Sequence, residues 1–87
     1  MEIEFDLEKD AANISKHGIS LGRARDMIIL AYRPDARFEE PRYRLFGLID
    51  EMPYCLAAVN RDGRVRAISL RRAHEKEMRR YVTRPSV

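Results

Sequence analysis

Cysteine is nearly absent from this chain. Cys55 is its only one, so no disulfide can close within the molecule, and a reducing compartment is the expected home. Cys55 sits in an apolar run, where a buried inert thiol is a simpler role than a nucleophile. Histidine is almost as scarce: His17 and His74 stand far apart, with no Cys or His partner at ligand spacing, so neither a metal site nor a cofactor is expected. The glycines Gly18, Gly22, Gly47 and Gly63 are scattered and form no phosphate-cradling loop. Long apolar runs are missing too. None is longer than Met27 to Tyr32, far short of the ~20 residues a membrane span requires. The acidic start Met-Glu-Ile-Glu-Phe-Asp lacks the basic opening of a secretory signal. A cytoplasmic protein without membrane association is the expectation.

Charge, by contrast, is abundant: 36% of the residues are Asp, Glu, Lys or Arg. It is unevenly spread. Met1 to Asn60 carries a net charge of −3 and Arg61 to Val87 one of +6. Such asymmetry points to a nucleic acid or another anionic partner, against the plainer role of a solvated flank. The chain's 87 residues allow one domain with a modest core. That domain is expected over residues 1–82, with a frayed tail at 83–87.

Glu2-Ile3-Glu4-Phe5 alternates as a short strand does. Asp6 suits the N-cap of a helix in which Leu7, Ala11 and Ile14 recur at helical spacing, and Gly18 suits its left-handed C-cap. Ser20 can cap a second helix with Leu21, Ala24, Met27 and Ile28 on its apolar side, ending before Pro34. Arg33 to Pro41 reads as a loop. Tyr43 to Asp50 reads as a strand, Glu51-Met52-Pro53 as a turn and Tyr54 to Asn60 as a second strand. Asp62-Gly63 is a hairpin signal leading to a further strand, Arg64 to Leu70. A helix over Ala73 to Val82 closes the order β-α-α-β-β-β-α. The expected fold is α+β, with a mostly antiparallel four-stranded sheet and helices packed on one face.

Several local motifs in this order are similar to one family. They are Phe5-Asp6 at the first helix, Asn13, and Lys16-His17-Gly18-Ile19-Ser20. Arg42-Tyr43 with Gly47 follows, then Arg66-Ala67-Ile68-Ser69-Leu70-Arg71-Arg72-Ala73, Glu77 and Tyr81. The chain resembles the BrnT ribonucleases of type II toxin–antitoxin systems. The resemblance implies a RelE-like fold, RNA cleavage that arrests translation, and neutralisation by a BrnA-type antitoxin. Operator DNA would be met only indirectly, through the antitoxin, since no helix-turn-helix is evident here.

RNA cleavage without a metal requires deprotonation of the 2′-OH, stabilisation of the phosphorane and protonation of the leaving oxygen. Arginine suits the second task, because its planar fork binds two phosphate oxygens and keeps its charge. Strict alternation places Val65, Ala67, Ser69 and Arg71 on one face of the last strand, and Arg66, Ile68, Leu70 and Arg72 on the other. With Ile68 and Leu70 as core, Arg71 is the phosphate ligand and Arg72 either its helper or the partner of a carboxylate. Glu77 is placed to act as general base or, more simply, to orient an arginine. Tyr81 can stack on a base, donate to phosphate or anchor the last helix in the core, the last favoured. His17 is a candidate proton shuttle, although a cap at its helix C-terminus is the plainer role. Lys16, Arg44, Arg61 and Arg66 could extend a phosphate track; for Lys16 lying in water is the alternative, and for Arg44 and Arg61 exposed surface is the plainer assignment. A non-catalytic nucleic-acid-binding module, or a protein-interaction domain, is the alternative.

Overall fold

The computed structural model describes residues 1–37 and 39–82. Its elements are β1 (Ile3–Glu4), α1 (Leu7–His17), a 3-10 helix (Leu21–Asp26), β2 (Ile28–Asp35), β3 (Arg42–Ile49), β4 (Met52–Arg61), β5 (Arg64–Arg72) and α2 (Glu75–Tyr81). The expected tail at 83–87 lies outside the described residues. The strands form one sheet in the order β1-β5-β4-β3-β2, antiparallel except for β1, which runs parallel to β5. Among the described residues no helix is long and apolar enough to cross a membrane.

The sheet therefore has five strands rather than four, and the extra one, β2, replaces the later part of the expected second helix. Ser20 does cap a helical segment, accepting a hydrogen bond from the Gly22 N–H. Leu21, Ala24 and Met27 recur every third residue, which is the period of a 3-10 helix, and all three are buried. Ile28 breaks that row and lies exposed. The β-branched pair Ile28-Ile29 then favours an extended chain, and β2 continues through Pro34 to Asp35, into the expected loop. As an edge strand β2 can hold Pro34, whose missing N–H would break an interior ladder. Gly47 lies opposite Ile29, where a Cβ would collide with the Ile28 carbonyl. Only glycine lets β2 approach β3 there.

Two tight hairpins set the registers of β3, β4 and β5. Asp62-Gly63 turns with both residues at positive φ, as its sequence signals. The earlier turn is Asp50-Glu51, also at positive φ, so Met52 and Pro53 belong to β4 rather than to the turn.

The helices do not share one face. Leu45, Leu56 and Leu70 lie opposite one another across β3, β4 and β5, and form a core with Leu21 and Ala24 of the 3-10 helix and Met27 just past its end. Phe46 and Cys55 point the other way and meet Met78, Tyr81 and Val82 at α2. Burying each large aliphatic or aromatic side chain contributes roughly 1.5–3 kcal/mol.

Helix α1 is held differently. The Asp6 carboxylate accepts from the Glu8 N–H, and Gly18 ends the helix at φ 72°. Its apolar row faces solvent, however: Leu7 is 78% and Ile14 48% exposed, and the only buried residue of the helix is Asn13. The Asn13 amide donates to the Leu70 carbonyl at 2.8 Å and to the Ile19 carbonyl at 2.9 Å, and accepts from the Leu70 N–H at 3.0 Å. β1 pairs only with Val65 and Arg66, so Asn13 takes the place of a missing strand beside Leu70. Asp10 completes the dock by accepting from the Ser20 hydroxyl and the Leu21 N–H.

Asn13→Ala leaves two buried backbone groups of Leu70 without partners, at about 1–3 kcal/mol each. Its urea midpoint should fall by the equivalent of about 3 kcal/mol with an unchanged m-value, whereas Ile14→Ala should stay within about 0.5 kcal/mol of the parent. Equal effects of the two substitutions would contradict this account of how α1 is held.

Candidate functional site

Residues paired across the strands point to the same side of a sheet, so the registers define rows on the α2 side. One row is Ala31, Phe46, Cys55 and Arg71; the next is Arg33, Arg44, Ala57 and Ser69. A third is Asp35, Arg42, Val59 and Arg66, and Arg61 and Arg64 follow. A bulge between Ala57 and Ala58 of β4 leaves Ile68 of β5 unmatched. It shifts the phase of β5 by one residue. Ala67 becomes the buried residue and Ile68 only half-buried, contrary to strict alternation. By the same shift Arg64 and Arg66 come to the face that holds Arg71. Among the described residues, seven arginines thus share one side of the sheet. Val59 is fully buried between Arg42 and Arg66, under cover that their aliphatic stems can supply.

Arg71 is the most firmly held of the seven. Its Nη1 and Nη2 donate to the two carboxylate oxygens of Glu77 at 2.8 and 2.9 Å, and Nη1 also donates to the Arg72 carbonyl at 3.1 Å. Glu77 comes within reach because α2 starts at Glu75, two residues later than expected, and Glu77 accepts from the His74 N–H at 2.9 Å. The Arg71 guanidinium holds the Glu77 carboxyl well below the usual carboxylate range, at about 2. Such a carboxylate is a poor proton acceptor and a good orienting group. Glu77 occupies the end of the guanidinium. Among the described residues, the side formed by Nε–H and the second Nη2–H keeps its donors, and that side is itself a two-pronged fork.

The other expected site residues divide. Arg72 turns to the opposite face, where its guanidinium lies 5.6 Å from the Tyr54 ring. Among the described residues its hydrogen bond with Arg71 runs through its backbone carbonyl, and its side chain lies on the face away from Arg71. Tyr81 joins the site as an anchor: its ring stacks on Phe46 with centroids 5.0 Å apart. Arg44 comes with it, its guanidinium 5.2 Å from the Tyr81 ring. His17 and Lys16 end α1, exposed. Among the described residues no hydrogen bond or ion pair links either one to Arg71 or Glu77. Arg61 is paired with Glu40 at 3.0 Å, and Arg64 and Arg66 each reach Glu4 at 3.6 Å. Such solvent-facing pairs are worth little, so an incoming phosphate can displace them. Cys55 lies beneath the arginines, and burial pushes its thiol up. Among the described residues no three His, Cys, Asp or Glu side chains gather as metal ligands would.

Sequence reading misses Arg33, which it places in a loop. Arg33 donates to the Tyr81 carbonyl at 3.1 Å, and its guanidinium lies 5.5 Å from the Tyr81 ring. A signal is present in the chain: Ala31, Arg33 and Asp35 alternate with Tyr32 and Pro34 directly after Ile28-Ile29-Leu30.

An open sheet with one arginine-covered face, and a helix whose carboxylate aims one of those arginines, defines a small α+β protein suited to a polyanion. The fold is shared with a solved structure, the 1.1 Å crystal structure of the Brucella abortus ribonuclease toxin BrnT. The TM-score is 0.66 at 20% identity, over 86% of this chain and 99% of that one. The family model described as the ribonuclease toxin, BrnT, of type II toxin–antitoxin systems matches residues 5–77. This chain belongs to the BrnT family of ribonuclease toxins. A sequence search of curated proteins returns no match.

The Arg71–Glu77 pair has a pH signature. Glu77 titrates at about 2 in the folded protein against 4.5 for a free carboxyl. Its contribution is therefore complete above pH 4.5 and is lost as the pH falls toward 2. Asp35, also near 2 because of Arg37, titrates in the same window but cancels in a comparison with Glu77→Gln. Urea unfolding should show the parent more stable than Glu77→Gln at pH 6, with the gap closing between pH 4.5 and 2. A gap independent of pH would rule out the pairing as its source.

Proposed function

We propose that this chain is the toxin of a type II toxin–antitoxin pair, an endoribonuclease that cuts single-stranded RNA without a metal ion and thereby arrests translation in the cytoplasm. The observation that carries this reading is Arg71, fixed end-on by Glu77 with its side-on fork unused among the described residues. A fork held in this way can take two oxygens of a phosphate and stabilise the charge that grows on the phosphorane when the 2′-OH attacks. The remaining arginines of the face would hold neighbouring phosphates, and Glu77 keeps Arg71 in position without itself moving a proton.

A BrnA-type antitoxin would neutralise the protein by laying an acidic or amphipathic segment over this basic surface, and its DNA-binding part would read the operator. Masking is needed because an exposed cluster of this charge attracts cellular RNA without discrimination. One observation favours a second reading, that of a non-catalytic RNA-binding module. Glu77 is ionised and engaged, and among the described residues no other side chain of the arginine face is a ready general base.

The two readings separate in one assay. Purified protein, freed of antitoxin, should cut RNA in the presence of EDTA. Arg71→Ala should slow cutting about a hundredfold, the loss of about 3 kcal/mol of transition-state stabilisation. Arg72→Ala and His17→Ala should cut at nearly the parent rate. Activity abolished by EDTA and restored by Mg²⁺ would sink the metal-free mechanism. RNA bound but never cut would leave the binding module.

A further inference from the structure

Arg33 and Arg44 are direct cross-strand partners on β2 and β3. Like charges set opposite each other destabilise a strand pair, so a sheet that keeps them there has some other use for them. Both guanidiniums lie against one aromatic ring, that of Tyr81, at 5.5 and 5.2 Å from its centroid. The ring is fixed in turn by its stack on Phe46. Two carboxylates of this face are committed elsewhere: Asp35 accepts two side-chain hydrogen bonds from Arg37, at 2.7 and 2.8 Å, and Glu77 is held by Arg71. Arg44 feels the Asp35 charge, yet among the described residues its side chain makes no hydrogen bond or ion pair, and its Nε is buried without a partner. An arginine whose buried donor is unmet, beside a second arginine, lacks an acceptor of high charge density.

We propose that Arg33 and Arg44 form a second phosphate seat, with Tyr81 as its wall, which takes a backbone phosphate of single-stranded RNA other than the one held by Arg71. The seat lies one row from Arg71, with Arg44 two strands and Arg33 three strands away from it. An RNA strand engaging both would cross the sheet obliquely, from β5 toward β2. The arginine stack on Tyr81 supplies the rigidity: it orients the two forks before the phosphate arrives, which lowers the ordering cost of binding. The specificity of the seat is for the backbone, and it reads no base. This assignment rests on the RNA reading above but not on catalysis.

The test is binding of a short single-stranded RNA whose ribose at the cut site is 2′-deoxy, so that nothing is cleaved. The dissociation constant is measured against salt concentration. Removing one arginine–phosphate interaction should reduce the slope of log K against log salt by about 0.7. Arg44→Gln and Arg33→Gln should each reduce the slope, and Arg44→Lys, which keeps the charge, should retain it. A scan of single methylphosphonate linkages should find one position, apart from the one that answers to Arg71→Gln, that weakens binding by the parent and has no further effect on Arg44→Gln. A purely structural clamp on α2 would lower thermal stability and leave that position equally sensitive in both proteins. That result, or an unchanged salt slope in folded Arg44→Gln, would overturn the proposal. Slope and linkage effects without any RNA cleavage by the parent would uphold the seat while removing the ribonuclease reading.

Discussion

The pairing of Asn13 with Leu70 is the contact on which the rest of the molecule depends. β1 is two residues long and leaves the outer edge of β5 unpaired just before Arg71. A buried strand edge without partners is costly, because each orphaned backbone group forfeits its hydrogen bond to water. Asn13 supplies a donor and an acceptor at once, both to Leu70, and its second N–H binds the Ile19 carbonyl. One side chain therefore closes the sheet, docks α1 and ties down the turn that leads to the 3-10 helix. The residue it holds is the immediate neighbour of Arg71.

From that fixed point the functional face follows by register. β5 is paired on either side of one bulge, and the bulge decides which arginines stand together. Without it Arg64 and Arg66 would face the core with Leu70, where no partner could offset the loss of their hydration. With it they join Arg71 on the open side, and small Ala67 fills the core position instead. Charge is thus concentrated on one side of the sheet, and the other side carries the principal apolar core. The two halves of the molecule do separate work: the 3-10 helix side supplies burial, and the α2 side supplies charge held in place by Phe46, Tyr81 and Glu77.

Much of this is readable along the chain. The caps at Asp6, Gly18 and Ser20, the Asp-Gly hairpin, and three of the four long strands follow from local chemistry acting over a few residues. The pairing of Arg71 with Glu77 also follows, because residues six apart and joined by a short turn cannot lie far from each other. The departures have a common origin. Leu21, Ala24, Met27 and Ile28 fit a helical pattern over too short a span to separate a 3-10 turn from an α-helix. Hydropathy gives helix α1 an apolar face at Leu7, Ala11 and Ile14, yet the helix docks through Asn13 and Asp10, which no hydropathy pattern marks.

The sequence by itself determined the element types wherever a cap, a turn or an alternation was complete, the basic character of the C-terminal third, and the family to which the chain belongs. Local interactions suffice for these, since each is settled by residues within a turn or a strand of one another. The tertiary structure alone decided that Arg33 and Arg44 stand against Tyr81, that Arg72 lies on the face opposite Arg71, and that Arg66 shares the face of Arg71. Those outcomes depend on strand order and on one unmatched residue in a ladder. Shifting a strand by a single residue exchanges its two faces, and nothing in the side chains of β5 states where the count will slip.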